Sequence, residues 1–218
     1  ILLKKGCVLT ASIIKRIKEL HIYSLYITDD YSSFEIEDII KPELRQKAIK
    51  VIKETFSEIE RINSQHNFEK HTYNDFSKRQ QQYFDSIDTI AEELLNDILS
   101  NRNVLLSLVD IKSMDNYTYS HCVNVAIVSL ILGISLNLTK TQLKYLCTGA
   151  LIHDIGKAFI PCEILQKPGR LTPEEFDIIK THTRFGYDFA DNMATFSAFV
   201  KAIILQHHER YDGLGYPN

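Results

Sequence analysis

The sequence of 218 residues contains no tryptophan, only four cysteines, and no apolar stretch long enough to span a bilayer. Without such a stretch, direct membrane insertion is not expected, and neither is a signal peptide. The cysteines (Cys7, Cys122, Cys147, Cys162) are widely spaced, and none forms a Cys-x-x-Cys pair. This excludes a zinc ribbon and a thioredoxin-type redox site. Cys122 and Cys147 fall inside apolar helical runs, where cysteine acts as a small core residue, and the pattern suits a reducing, cytoplasmic compartment. An excess of positive charge is also missing. At a net charge of −3 there is no basic face for a nucleic acid polymer, although a small charged nucleotide stays open because local charge governs its binding. No internal repeat or low-complexity tract is visible. The chain opens on Ile1 rather than methionine and stops just after a turn motif, so it reads as a piece of a longer protein, and a membrane-anchored parent stays open.

What is present is mostly helical pattern. Residues 1–35 read as a small, incomplete α/β module. Thr10 caps a short helix over Ala11–Leu20, and Ile22–Thr28 is rich enough in β-branched and aromatic residues for a strand. Residues 36–102 read as a helical linker. Pro42 suits the first turn of a helix running to about Asn63. Its apolar positions, from Leu44 to Ile62, recur every three to four residues. A polar loop follows to Phe76, then a second helix over about Ser77–Leu99. The two long helices are expected to pair antiparallel, although a stripe this long can equally pack against another subunit as a homodimer. Residues 103–218 form the third part, with helices expected near 103–112, 117–136, 140–155, 173–191 and 195–208. Thr172-Pro173-Glu174-Glu175 is a capped helix start.

Five of the eight histidines (His121, His153, His182, His207, His208) lie in this third part, each close to an expected helix boundary. His153-Asp154 ends an apolar helical face and is followed by Gly156 and Lys157. Imidazole with carboxylate suits iron, manganese or zinc, and an aspartate can bridge two such ions. Two ions roughly 3.5–4 Å apart can activate water and hold a phosphate in line, with Lys157 a natural partner for a phosphate oxygen. The plainer alternative is a helix-terminal His–Asp hydrogen bond and a solvated lysine. His207-His208 also follows an apolar helix. Adjacent helical residues point about 100° apart, so this pair is expected to meet two different ions, or one ion and the substrate. His182 and His121 are each weak alone, since a buried structural histidine is the default, and gain weight only from the set. His21, His66 and His71 lie outside it. Gly213-Leu214-Gly215-Tyr216-Pro217 reads as a tight loop whose glycines allow close backbone approach.

Taken in order, Asn116–His121, Leu151–Lys157, Ile164–Thr172, His182 with Gly186, and His207–Pro217 resemble the HD-GYP family, a branch of the metal-dependent HD-domain phosphohydrolases. The front piece from Leu3 to Tyr26 is similar to a small module that often precedes this domain. The resemblance implies a mainly α fold, an HD-type helical bundle preceded by the linker and the α/β piece. It implies hydrolysis of cyclic di-GMP to linear pGpG, and on to GMP, in bacterial second-messenger signalling. It further implies His121, His153, Asp154, His182, His207 and His208 as ligands of two divalent ions, usually iron or manganese. Asp154 would bridge them and act with Lys157 in catalysis. Lys157, Gly215, Tyr216 and Pro217 would bind or shape the substrate, and the loop would also meet a diguanylate cyclase domain. Two departures from the family pattern stand out. Tyr117 occupies the place where some members carry a glutamate ligand, which points to two metals rather than three. A further aspartate ligand of the family lies beyond Asn218.

Two other readings remain at this level. The domain could be a catalytically idle signalling module that binds nucleotide or a cyclase. It could also be a phosphohydrolase for another cyclic dinucleotide.

Overall fold

The computed structural model describes residues 7–19, 39–65, 78–100, 117–193 and 195–217. The expected strand over 22–28, the helix over 103–112 and most of the loop over 63–76 lie outside them. The described residues form α1 (Ala11–Glu19), α2 (Pro42–Gln65), α3 (Lys78–Ser100), α4 (Tyr117–Ser135), α5 (Lys140–Ile152), a 3₁₀ turn (Ile155–Phe159), α6 (Cys162–Leu165), α7 (Pro173–Lys180), α8 (His182–Asp191) and α9 (Ala198–Gln206). The fold is therefore mainly α, as the apolar periodicity predicts.

The caps are local. Thr139 accepts from the Gln142 backbone N–H while the Gln142 side chain accepts from the Thr139 N–H, and Thr172 and Glu175 repeat this box at α7 with Pro173 in the first turn. Such reciprocal pairs satisfy donors that a helix start leaves unpaired. Ser197 caps α9 through the Val200 N–H.

The periodic stripes of α2 and α3 face each other and, together, the rest of the bundle. Ile52, Phe56 and Ile59 share one apolar core with Ile87, Leu94, Leu95, Val123, Leu130, Cys147, Leu151 and Ile204. Phe84 of α3 sits between Phe189 and Phe196, at ring-centroid distances of 5.8 and 5.2 Å. The α3 stripe is thus covered within the chain, so a second subunit would need another face. Cys122 and Cys147 are fully buried, and burial raises both thiols well above their ordinary range.

Several helix boundaries differ from the sequence expectation, three of them beside candidate ligands. The helix expected over 173–191 breaks at Thr181, whose backbone N–H and hydroxyl both donate to the Ile178 carbonyl. The helix expected to reach 155 ends at Ile152, with His153 as its cap and Asp154 leading into the 3₁₀ turn. The last helix ends at Gln206, two residues early. Each break places a candidate ligand at a helix end rather than within a helix.

Candidate metal centre

Asp154 lies at the centre of the five histidines, and its position follows from the end of α5. The apolar face of Leu143, Cys147, Ala150 and Leu151 is driven into the core, and the chain then turns sharply through the 3₁₀ segment. That turn buries Asp154 to 1% exposure. His182 enters from the start of α8, His207 and His208 from the end of α9, and His121 from the first turns of α4.

Two groups of side chains have ligand atoms lying within 4.8 Å of one another: His121, His153 and Asp154, and Asp154, His182, His207 and His208. Asp154 belongs to both. His207 and His208, expected from the sequence to meet two different ions or one ion and the substrate, fall in one group with ring centroids 4.3 Å apart.

The hydrogen bonds fix the direction of the imidazoles. Nδ1 of His153, His182 and His207 lies 2.7, 2.7 and 2.9 Å from the carbonyl oxygens of Ala150, Ile179 and Ile204, respectively. A carbonyl can only accept, so each Nδ1 carries the proton and each Nε2 presents a lone pair. These Nε2 atoms converge on Asp154, with His153 at 3.3 Å, His182 at 3.4 Å and His207 at 3.8 Å from carboxylate oxygens. Nε2 of His182 and Nε2 of His207 face each other at 3.1 Å. Burial lowers the pKa of His182 to about 4 and, with His153 adding to it, that of His207 to about 3. In the neutral rings, with both Nδ1 protons given to carbonyls, neither of these Nε2 atoms carries a proton. Burial alone would raise the Asp154 carboxyl, but the Lys157 ammonium bonded to Oδ2 opposes it, and the carboxyl is held well below the usual carboxylate range.

Lone pairs therefore face lone pairs and a carboxylate in a buried space, an arrangement that a cation satisfies. Asp154 Oδ1 is, among the described residues, a buried side-chain atom with no hydrogen-bond partner. The donor set thus fits divalent metal on the chemistry of its atoms. Lys157 Nζ donates to Asp154 Oδ2 at 2.8 Å, so the lysine stands at the edge of the site with its charge turned inward.

The glycine loop closes one side. The Tyr216 ring stacks on His208 at 4.6 Å, and the Tyr216 N–H donates to the His208 carbonyl at 3.2 Å. A Cβ on Gly215 would overlap the backbone of Arg210 and His208, so the loop folds back this closely only with glycine there. Arg210 and Asp212 form a two-pronged ion pair at 3.0 and 2.5 Å, and Asp212 Oδ1 also accepts from the Leu214 N–H.

Beyond His208 opens a cavity of about 860 Å³, lined by Phe176, Lys180, Arg184, Glu209, Arg210 and Tyr216 among others. The sequence reading missed Phe176, Lys180 and Arg184. The available signal was their four-residue spacing around His182.

The HD domain family matches residues 93–218. Over 128 residues, 59% of this chain, the sequence is 39% identical to a cyclic di-GMP phosphodiesterase of Pseudomonas aeruginosa, covering 31% of that protein. It is 36% identical over 130 residues, 59% of the chain, to a cyclic di-GMP phosphodiesterase of Thermotoga maritima, covering 34% of it. A 3'3'-cGAMP-specific phosphodiesterase of Vibrio cholerae is 34% identical over 128 residues, which span 56% of this chain and 28% of that one. The chain thus spans about a third of the length of these relatives. In fold it is similar to an HDG"Y"P protein from Bdellovibrio bacteriovorus, with a TM-score of 0.61 over 93% of this chain and 58% of the other, at 23% identity. On its match to residues 93–218, the chain belongs to the HD domain family, and its ordered motifs are those of the HD-GYP branch.

Proposed function

We propose that this chain carries the active site of a metal-dependent phosphodiesterase that hydrolyses cyclic di-GMP to linear pGpG, with a second cut giving GMP. The observation that carries the reading is the convergence of imidazole lone pairs on the orphaned, buried carboxylate oxygen of Asp154. His121, His153 and Asp154 would hold one divalent ion. Asp154, His182, His207 and His208 would hold a second, with iron or manganese as the expected pair. When bound, such ions supply Lewis-acid charge for the phosphoryl oxygens and lower the pKa of water.

The chain's own residues do the rest. The bonds from Nδ1 to the Ala150, Ile179 and Ile204 carbonyls keep the ring lone pairs aimed inward, so no reorientation is needed when charge develops. Lys157 is placed to turn from Asp154 Oδ2 to a phosphate oxygen. Gly215, Tyr216 and Pro217 wall the side next to His208 and limit access of bulk water. Charge at the cavity rim favours a dianionic nucleotide, since Lys180, Arg184 and Arg210 all line it.

Such a substrate belongs to the bacterial cytoplasm. A diguanylate cyclase domain is the proposed protein partner, meeting the exposed Tyr211 and Leu214 of the loop. No helix among the described residues is long and apolar enough to cross a membrane. The test is turnover of cyclic di-GMP by the full-length protein, purified under reducing conditions with manganese or ferrous iron. Appearance of pGpG on chromatography supports the reading, and its absence with both metals sinks it. Similarity to a cGAMP-specific enzyme makes 3'3'-cGAMP the comparison substrate in the same assay.

A further inference from the structure

The cavity beside His208 has an outer wall that hydrolysis at Asp154 leaves unused. Phe176 is 47% exposed there, so one part of its ring is free to meet a ligand. Its ring stands edge-on to Tyr216 at 6.4 Å. Lys180 Nζ lies 5.4 Å over the same ring, one helical turn along α7. Arg184 lines the cavity one turn further on, from α8. His182 is fully buried while Lys180 and Arg184, two residues to either side, line the cavity.

Both cations sit in surface ion pairs, Lys180 with Asp177 at 2.6 Å and Arg184 with Asp188 at 3.2 Å. Exposed pairs of this kind are weak, so an arriving anion can recruit either cation at little cost. Arg210 differs, because Asp212 holds both ends of its guanidinium and ties it to the loop.

We propose that Phe176, Lys180 and Arg184 form an outer subsite for the half of a cyclic dinucleotide that is not being cut. The base would stack on Phe176, and the second phosphate would lie between Lys180 and Arg184. The inference rests on the phosphodiesterase reading above. A cyclic dinucleotide carries two phosphates and two bases in one closed ring, so a phosphate held at the metal centre, which meets the cavity at His207 and His208, leaves the other half of the ring to lie along the cavity. That side needs a stacking face and positive charge, and Phe176 with its two basic neighbours supplies both. Aromatic stacking is tolerant of base identity. The subsite therefore selects for a second nucleotide, not for guanine over adenine.

The test compares the full-length wild type with F176A and R184A, loaded with manganese. The substrates are cyclic di-GMP and bis(p-nitrophenyl) phosphate, a diester with no bases and no second phosphate. In each variant the ratio of kcat/KM on cyclic di-GMP to kcat/KM on the small diester should fall about tenfold, mainly through KM. F176Y, which keeps a stacking ring, should restore most of it. A ratio within twofold of wild type in both alanine variants overturns the proposal. Arg184 is 65% exposed, so its truncation tests the subsite without endangering the fold. A wild type inactive on cyclic di-GMP counts against the phosphodiesterase reading, and equilibrium binding then decides the subsite. A Kd for cyclic di-GMP raised about tenfold in both variants supports it, and an unchanged Kd, or no binding by the wild type, overturns it.

Discussion

The backbone of Gly156 lies so close to the carbonyl oxygen of His182 that any Cβ at residue 156 would overlap it. The backbone N–H of Gly186 is also within 2.7 Å of that position. Two segments that carry candidate ligands, the Asp154 turn and the start of α8, are held in register by this missing side chain. Gly156→Ala must push them apart. Overpacking of this kind costs on the order of 1–3 kcal/mol, and the displaced atoms include the backbone of His182, a candidate ligand. The expected result is a lower urea midpoint together with at least tenfold weaker manganese binding. Full metal affinity in the alanine variant would show that the close approach does not position the site.

Because Asp154 is common to both ligand groups, removal of single side chains should have graded effects. Metal analysis of protein purified without oxygen should give two ions per chain for the wild type, one for His121→Ala and none for Asp154→Ala. Chelation should also lower the thermal midpoint, since a ligand that binds only the folded state at about 100 times its Kd contributes about 2.7 kcal/mol. Equal stoichiometry in wild type and Asp154→Ala would remove the shared role of that carboxylate.

The sequence carried much of this site and less of its geometry. His153-Asp154 and His207-His208 were legible because each follows an apolar helical face and precedes a glycine turn, a pattern that marks where a helix must stop. The helices over 42–63 and 77–99 were legible from their spacing alone. The break at Thr181 was not, because Pro173–Asp191 keeps a helical pattern throughout, and a threonine that bonds back to Ile178 leaves no compositional mark. The cavity wall of Phe176, Lys180 and Arg184 was marked only by a four-residue spacing, which any solvated helix face shows equally.

The Arg210–Asp212 pair tests how the loop is held. Asp212 is drawn below its ordinary pKa by Arg210 first and by the Leu214 N–H second. Asp212→Ala removes both anchors at once, while Asp212→Asn keeps an acceptor for the Leu214 N–H. The alanine variant should raise KM for cyclic di-GMP several-fold with a smaller change in kcat, and asparagine should recover part of the loss. Equal kinetics in all three proteins would show that Gly215 and Tyr216 fold the loop without this clasp.

Helix α2 lies outside the stretch that matches the HD domain family, yet it touches the elements that present the site. Asn63 Nδ2 donates to the Ala158 carbonyl at 3.1 Å, at the end of the turn that carries Asp154 and Lys157. Phe56 meets Tyr119 edge-on at 5.6 Å, two residues before His121. The helix therefore supports the Asp154 turn and the first turns of α4 at once, and it shares one core with the elements of the HD domain match. Asn63→Ala should cost about 1 kcal/mol by urea denaturation, the ordinary net value of one hydrogen bond. Phe56→Ala, at a site 2% exposed, should cost about 3–5 kcal/mol. If α2 only filled the core, both variants would keep wild-type metal affinity once folded. Because it also seats the ligand-bearing elements, the folded fraction of each should bind manganese more weakly, with Asn63→Ala losing affinity out of proportion to its small effect on stability.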